Sequence, residues 1–265
     1  MAKGETYEEF VAKFNKTAPK TTDDCYTPQP VYEVVKEYAL KLAGLTEETC
    51  TPVRPFYPGG DYRNYDYPAD AYVIDNPPFS ILSEIRRFYM ERGIKFFLFA
   101  PAMTCINPNI DDTIICANSD IIYSNGAVIK TSFVSNAANR EFCLITAPEL
   151  RKLLDAIFRK DRKIYGKENT KKLKTYISPK NTFSARDIAL ISRTEFMIRR
   201  TESRAVSKFG SIRTYGGAYL LSDRAAAELE KARAAEEKLR RKYGIKLNLS
   251  PEQEEIVKQL NEKHK

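Results

Sequence analysis

The sequence predicts an α/β fold, a parallel sheet covered by helices, and three observations predict it. An apolar run at 71–75 leads into a helix-period segment at 80–92 and then into a second apolar run at 95–100. The joints between these segments are short, and strand, helix and strand joined in this way form a crossover unit with parallel strands. Of the 265 residues, 43% are hydrophobic, enough for a substantial core.

Residues 1–24 are polar and read as a short helix followed by a loose leader. The first well-marked helix begins at Thr27, which suits an N-cap, with Pro28 in the first helical position. Val31, Val34, Val35, Tyr38, Ala39 and Leu42 form one apolar stripe, and Gly44 closes the helix. A Pro/Gly/Tyr-rich loop spans 51–68. Ala71-Tyr72-Val73-Ile74-Asp75 then reads as a buried strand. The helix at 80–92 carries Ile81, Leu82, Ile85, Phe88 and Tyr89 on one face, with Gly93 as its stop. Lys95-Phe96-Phe97-Leu98-Phe99-Ala100 is the next strand. Shorter strands are expected at 120–123, 128–134 and 142–145, and Ser124-Asn125-Gly126 between the first two is a hairpin signal. To about residue 148 the picture is an α/β sheet with an antiparallel pair at one edge. Beyond it come a helix at 148–162, a basic connector to 174, and short strands and turns over 175–221. A charged helix at 222–242 follows, and a last helix starts at Ser250, where Ser250-Pro251-Glu252-Gln253 has the residues of a capping box.

Composition excludes several chemistries. The five cysteines (Cys25, Cys50, Cys105, Cys116, Cys143) are scattered and never form C-x-x-C, so reduced, mostly buried thiols are expected rather than disulfides or a zinc site. The one histidine is His264, the penultimate residue, which excludes a histidine general base or a Ser-His or Cys-His pair. No G-x-x-x-x-G-K-[ST] phosphate loop is present. No apolar run of membrane-spanning length occurs and the N-terminus lacks the order of an export signal, so no membrane partner and a cytoplasmic location are expected.

Charge divides the chain. Residues 1–150 hold 14 Lys+Arg against 20 Asp+Glu, a net of −6, whereas 151–265 hold 29 against 15, a net of +14. Two regions are therefore expected, an α/β domain at 1–150 and a basic region at 151–265 with the footprint of a phosphate-backbone contact. Arg186, Arg193, Arg199, Arg200, Arg204, Lys208 and Arg213 surround Phe183, Phe196, Phe209 and Tyr215, a mixture suited to phosphate contact and base stacking. The DNA-contact candidates are Arg186, Arg193, Arg199, Arg200, Arg213 and Tyr215. The plainer alternative is a small aromatic core with solvated charges.

Chemistry concentrates where the first buried strand ends, because ligands of open α/β sheets bind outside the carboxyl ends of the strands. Asn76-Pro77-Pro78-Phe79 stands there. An exocyclic base amine is a poor nucleophile, since its lone pair is delocalised into the ring. Two acceptors, the Asn76 amide oxygen and the Pro77 carbonyl, would draw it toward tetrahedral geometry, held ready by two stiff prolines. Phe79 supplies a flat face for a base turned out of the duplex. The alternative for Asn76 is a turn-former before prolines.

Asn76-Pro77-Pro78-Phe79 resembles the [DNS]-P-P-[YFW] motif of S-adenosylmethionine-dependent amino-methyltransferases, and its surroundings resemble the small phage-type adenine-specific DNA methyltransferases. Tyr26-Thr27-Pro28 is similar to the family's cofactor-side Thr-Pro motif. Arg54-Pro55-Phe56-Tyr57-Pro58-Gly59-Gly60-Asp61 is similar to a degraded D-P-F-x-G-x-G loop. Phe99-Ala100-Pro101-Ala102 stands where the next strand of such enzymes ends, and Tyr215-Gly216-Gly217-Ala218 resembles a Gly-rich stretch of phage relatives. The resemblance implies a reduced Rossmann-like methyltransferase sheet with a basic α+β extension, DNA as partner and S-adenosylmethionine as cofactor. It implies cofactor contacts from Tyr26, Thr27, Pro28, Phe56, Tyr57, Gly59, Gly60, Asp61 and Asn76, and catalysis by Asn76, Pro77, Pro78 and Phe79.

The chain departs from that pattern in two places. Only residues 61–74 separate the glycine loop from the Pro-Pro motif, too few for the βαβ unit that carries the acid for the cofactor ribose. The first position of the glycine loop is Arg54, not an acid. Either the pocket is pared down, with Asp61 or Asp66 replacing the acid, or it is lost. An active enzyme, a silent DNA-binding relative acting as decoy or regulator, and a nucleic-acid-associated scaffold all stay open.

Overall fold

In the computed structural model of the protein, the described residues are 26–56, 60–158, 181–209 and 212–243. The expected leader helix, the basic connector at 163–174 and the terminal helix at Ser250 lie outside them. The elements are α1 (Gln29–Ala43), β1 (Thr51–Val53), β2 (Ala71–Asp75), α2 (Leu82–Arg92), β3 (Lys95–Pro101), β4 (Thr113–Ile122), β5 (Val128–Ser135), β6 (Phe142–Thr146) and α3 (Pro148–Ile157). They continue with β7 (Thr182–Ser184), α4 (Ala185–Ile191), β8 (Met197–Arg199), β9 (Ser203–Phe209), β10 (Ile212–Leu221) and α5 (Asp223–Tyr243). The architecture is α/β, as expected, with a mixed seven-stranded sheet in the order β1-β2-β3-β5-β4-β6-β8 and a three-stranded sheet β7-β10-β9.

Strand pairings set the directions. β1 is parallel to β2 and β2 to β3, β5 is antiparallel to both β3 and β4, β6 is parallel to β4, and β8 is antiparallel to β6. Five strands therefore run one way, and β5 and β8 oppose them. Alternate side chains along the strands sort to opposite faces. Val73, Phe96, Leu98 and Ile114 pack with Leu82, Ile85 and Tyr89 of α2, Ile188 of α4 and Leu229 of α5. Tyr72, Ile74, Phe97, Phe99 and Ile115 pack with Val31 and Val35 of α1 and Leu150 and Leu154 of α3. Both faces of the sheet are covered, which is why β2 is buried along its whole length. Cys50, Cys105, Cys116 and Cys143 are buried free thiols. Among the described residues, no helix is long and apolar enough to cross a membrane.

Several expectations are corrected. The antiparallel hairpin is not at an edge: β5 lies between β3 and β4, because Thr131 to Ser135 are buried and need neighbours on both sides. β4 begins seven residues before the expected 120, since the polar stretch Asn118-Ser119-Asp120 interrupts its apolar pattern. A register shift falls between Ile115 and Ser119, where Asn118 takes φ 48° and donates its backbone N–H to Ser132 Oγ at 3.1 Å. Residues 51–53, expected in a loop, form the edge strand β1, where Pro52 is tolerated. Thr27 does not cap α1: the cap position is Pro28, without a side-chain cap bond. Gly44 and Gly93 close α1 and α2 at φ 65°, the left-handed conformation their positions suggest.

The main sheet also crosses residue 150, where the sequence places a boundary, because β8 pairs with β6. The small sheet is held to the rest at Gly217, whose N–H donates to the Ile106 carbonyl at 3.0 Å. A Cβ there would stand 2.7 Å from Ile106 Cγ2 and 2.9 Å from the Ile106 carbonyl oxygen, so the contact needs glycine.

One buried ion pair anchors α2 to the loop between β3 and β4. Arg86, only 1% exposed, donates from Nε and Nη2 to Asp112 at 2.7 and 2.5 Å and from Nη1 to the Cys105 carbonyl at 3.1 Å. Removing one partner strands a buried charge, whereas removing both leaves a gap that apolar atoms fill. Arg86→Met is therefore expected to lower the unfolding free energy by about 3–5 kcal/mol. Arg86→Met with Asp112→Leu is expected to recover a large part of it, read from urea denaturation.

Candidate functional site at the carboxyl edge of the sheet

β1, β2, β3 and β4 share a direction, so the residues that leave them gather at one edge of the sheet. Arg54, Pro55 and Phe56 leave β1; Asn76, Pro77, Pro78 and Phe79 leave β2; Tyr123 leaves β4. Asp75, the last residue of β2 and 2% exposed, joins the first two segments. Its carboxylate accepts the backbone N–H of Phe56 at 2.8 Å and of Asn76 at 2.9 Å, and takes Arg54 Nε at 3.4 Å. The Arg54 guanidinium lies over the Tyr32 ring, 3.9 Å from its centroid, which ties the first turn of α1 to the same cluster. The N-terminal segment arrives from the other side, where the Tyr26 carbonyl accepts the Ser124 N–H at 3.0 Å. The Phe79 and Tyr123 rings meet edge to face, with centroids 6.5 Å apart at 78°.

The three separated segments singled out in the sequence, 26–28, 54–56 and 76–79, thus come to one edge. Asp75, Tyr32 and Tyr123, which hold them there, were not singled out. The one readable signal was a lone carboxylate closing an otherwise apolar strand. Arg54 was noted only as a departure, but in the fold it is the counter-charge of Asp75.

Geometry at the corner is stiff. Pro78 takes φ −55° and ψ 120°, and its carbonyl accepts the Ile81 N–H at 3.3 Å, starting the short turn Phe79–Ile81 ahead of α2. Pro77 is buried, whereas Asn76, Pro78 and Phe79 are half-buried. The Asn76 Oδ1 atom itself is shielded from solvent. Thr27 is 4% exposed, and its hydroxyl has no hydrogen-bond partner among the described residues. A buried hydroxyl left in that state is suited to a ligand's polar group.

The residues expected around the cofactor divide accordingly. Thr27, with its buried hydroxyl, and the Asn76 corner are the expected cofactor residues that offer polar groups at this edge. The residues expected at the ribose offer less. β1 is the edge of the sheet among the described residues, so no neighbouring strand brings an acid beside it. Asp61 spends both carboxylate oxygens on its own turn, accepting the Arg63 N–H at 2.9 Å and Asn64 Nδ2 at 2.7 Å. Asp66 and Gly60 are exposed, and Tyr57 and Gly59 lie outside the described residues. In place of a crossover helix, 61–68 lays Tyr62 and Tyr67 onto α2. Tyr62 packs at 5.4 Å from Phe56 and 5.1 Å from Phe88, and the Tyr67 and Tyr89 hydroxyls bond at 2.9 Å.

In the basic region, several arginines are engaged within the chain. Arg193 pairs with Glu236 at 3.4 Å, Arg199 pairs with Glu141, and Arg200 pairs with Asp111 and donates to the carbonyls of Arg140 and Asp112. Phe183 and Phe196 are buried and stacked with centroids 6.2 Å apart, so those two aromatics are core. The side chains of Arg186, Lys208, Phe209, Arg213 and Tyr215 lie outside the described residues. No family model matches the sequence, and comparisons with curated proteins and with solved structures give no match.

Electrostatics at Asp75 makes the site sensitive to pH. Burial pushes its carboxyl up to about 6, against the Arg54 charge and the two backbone N–H groups that pull it down. Between the ordinary value, 3.8, and about 6, the folded chain holds a proton that the unfolded chain has released. The stability contributed by Asp75 is therefore full at the acid end of that window and is lost as pH rises through it. The difference in unfolding free energy between the wild type and Asp75→Asn should change across pH 4–6 and stay level from about 6.5 to 8. A difference that is flat across the lower window would show that Asp75 ionises normally.

Proposed function

We propose that this chain is an S-adenosylmethionine-dependent amino-methyltransferase acting on the exocyclic amine of a DNA base, adenine N6. The observation that supports this reading is the meeting of 54–56 and 76–79 through Asp75 at the carboxyl edge of parallel strands, with Tyr26 bonded to Ser124 just after β4 at the same edge. Asn76 Oδ1 and the Pro77 carbonyl would accept the two amine hydrogens, which pyramidalises the nitrogen and frees its lone pair. Asn76 Oδ1 is shielded in the chain alone, so its carboxamide turns outward as the base enters. The two prolines keep the backbone carbonyl in place meanwhile, which lowers the ordering cost at the moment of reaction. Asp75, by gripping the Asn76 N–H, fixes where that side chain starts. Thr27 and Asn76 would hold the cofactor's methionyl end. When bound, the cofactor supplies an electrophilic methyl carbon and a neutral leaving sulfur.

A second reading has its own observations. Arg54 stands where an acid is expected and is engaged by Asp75, and β1 has no strand beside it to carry a ribose-binding carboxylate. A silent relative that binds DNA without cofactor would look the same. Calorimetry with S-adenosylmethionine, together with transfer of labelled methyl to unmodified duplex DNA, separates the two. Under the methyltransferase reading, cofactor binds and methyl is transferred; DNA binding with no detectable cofactor affinity selects the second.

Two further outcomes test the arrangement. Asn76→Ala should cut methyl transfer by at least about 100-fold, as loss of one preorganised hydrogen-bonding group does elsewhere, with DNA affinity retained. Normal transfer by that variant would remove the mechanism. Because no described carboxylate faces the ribose site, the demethylated cofactor and its 2′-deoxy analogue should bind within about threefold of each other in calorimetry. A lost charge-assisted bond would instead cost about 1.5–3 kcal/mol, more than tenfold.

A further inference from the structure

The geometry at the end of β2 points to Asp75 as a positioning residue that works as a switch: charged, it holds residues 54–56 beside the Asn76 corner, and protonated, it releases Phe56. Every bond at this carboxylate is accepted and none is donated. Oδ1 takes the Asn76 N–H at 2.9 Å and Arg54 Nε at 3.4 Å, and Oδ2 takes the Phe56 N–H at 2.8 Å. An ionised carboxylate is an acceptor only, which suits three donors, whereas a protonated one carries an O–H that needs an acceptor of its own. Oδ1 already meets two donors, one of them cationic, so the proton goes to Oδ2. There its hydrogen faces the Phe56 N–H, a donor against a donor, and the bond that ties 54–56 to β2 is given up. The Asn76 N–H stays on Oδ1.

Nothing else that faces this carboxylate changes charge in the same range. Among the described residues, Arg54 faces it from the loop after β1, Tyr32 from α1, Tyr67 from 61–68 and Tyr89 from α2. Burial pushes all three phenols up, Tyr32 and Tyr67 to about 12, so they stay neutral at physiological pH. Lys36 and Glu33, beside Tyr32 on α1, pair with each other at 3.0 Å. The chain's one histidine, His264, lies outside the described residues. Asp75, whose carboxyl is pushed up to about 6, therefore titrates where the groups around it do not. Its charge is tolerated in so buried a place only while the donors are there to meet it, so charge and the position of 54–56 change together. The Phe56 ring packs 5.4 Å from Tyr62 and 6.4 Å from Tyr89, so releasing its N–H loosens the aromatic cover between β1 and α2. That the loosened loop belongs to a cofactor site rests on the methyltransferase reading; the switch itself rests on the bonds at Asp75.

The test is amide NMR and hydrogen exchange of the full chain without ligand. Between about pH 8 and 5, the protonated fraction of a carboxyl titrating at about 6 rises from about 1% to about 90%. The Phe56 amide signal should follow one sigmoid centred at about 6. Its protection, corrected for the intrinsic exchange rate, should fall more than about tenfold over that range. The amides of Asn76 and of Ser124, which donates to the Tyr26 carbonyl at the same edge, should keep their protection. In Asp75→Asn, whose side chain offers one acceptor in place of two, the Phe56 signal should be level with pH and its amide unprotected throughout. A wild-type Phe56 amide that does not titrate, or that titrates and stays protected at pH 5, overturns the inference whether or not the variant folds. Calorimetry then tests the link to the cofactor: affinity for S-adenosylmethionine should fall about tenfold from pH 7 to 5, in step with the charged fraction. Affinity that stays level while Phe56 is released overturns that link. No cofactor binding at any pH removes the methyltransferase reading and leaves the amide result standing.

Discussion

A single carboxylate at the end of β2 organises the carboxyl edge of this sheet. Asp75 accepts a backbone N–H from each of two segments that are 19 residues apart and one residue apart, and it neutralises the guanidinium that stacks on α1. Buried carboxylates are costly unless they are bonded on all sides. That cost makes the arrangement specific: the loop after β1 must pass where Phe56 can donate, and Arg54 must fold inward, or the charge is stranded. The position of Asn76 follows from the same bonds.

The absence of a crossover helix between β1 and β2 is met by aromatic packing. Residues 61–68 span the gap with Tyr62 and Tyr67 laid on Phe56, Phe88 and Tyr89, so α2 and the sheet are covered without an added layer. Large rings bury much area per residue at small entropic cost, which suits a short connection. The covering brings no strand alongside β1 among the described residues, so no neighbouring strand carries a carboxylate to that end of the edge.

Several local patterns were legible before the fold. The stiff Asn76-Pro77-Pro78-Phe79 corner after a buried strand, the apolar stripe of α1, and the glycine stops at Gly44 and Gly93 are local patterns with local causes, and each holds at its place. Patterns that depend on distant partners were not legible. Thr27 has the right chemistry for a cap, yet the turn places Pro28 there. Pro52 discourages a strand assignment, yet an edge position with a parallel neighbour accepts it. The hairpin at Asn125-Gly126 was readable, but its place in the middle of the sheet was not. That place depends on which strands offer β5 two apolar neighbours.

Sequence alone determined the strand, helix and strand at 71–100, the helix stops set by Gly44 and Gly93, and the polarity of charge along the chain, because each is read from residue types without any distant partner. Tertiary structure decided the rest: that Arg54 answers Asp75, that Phe183 and Phe196 are core, and that Arg193, Arg199 and Arg200 meet carboxylates of their own chain. A charge or a ring has no assigned partner until the chain closes on itself. Desolvation and distance, which decide whether it binds inward or outward, exist only in the folded molecule.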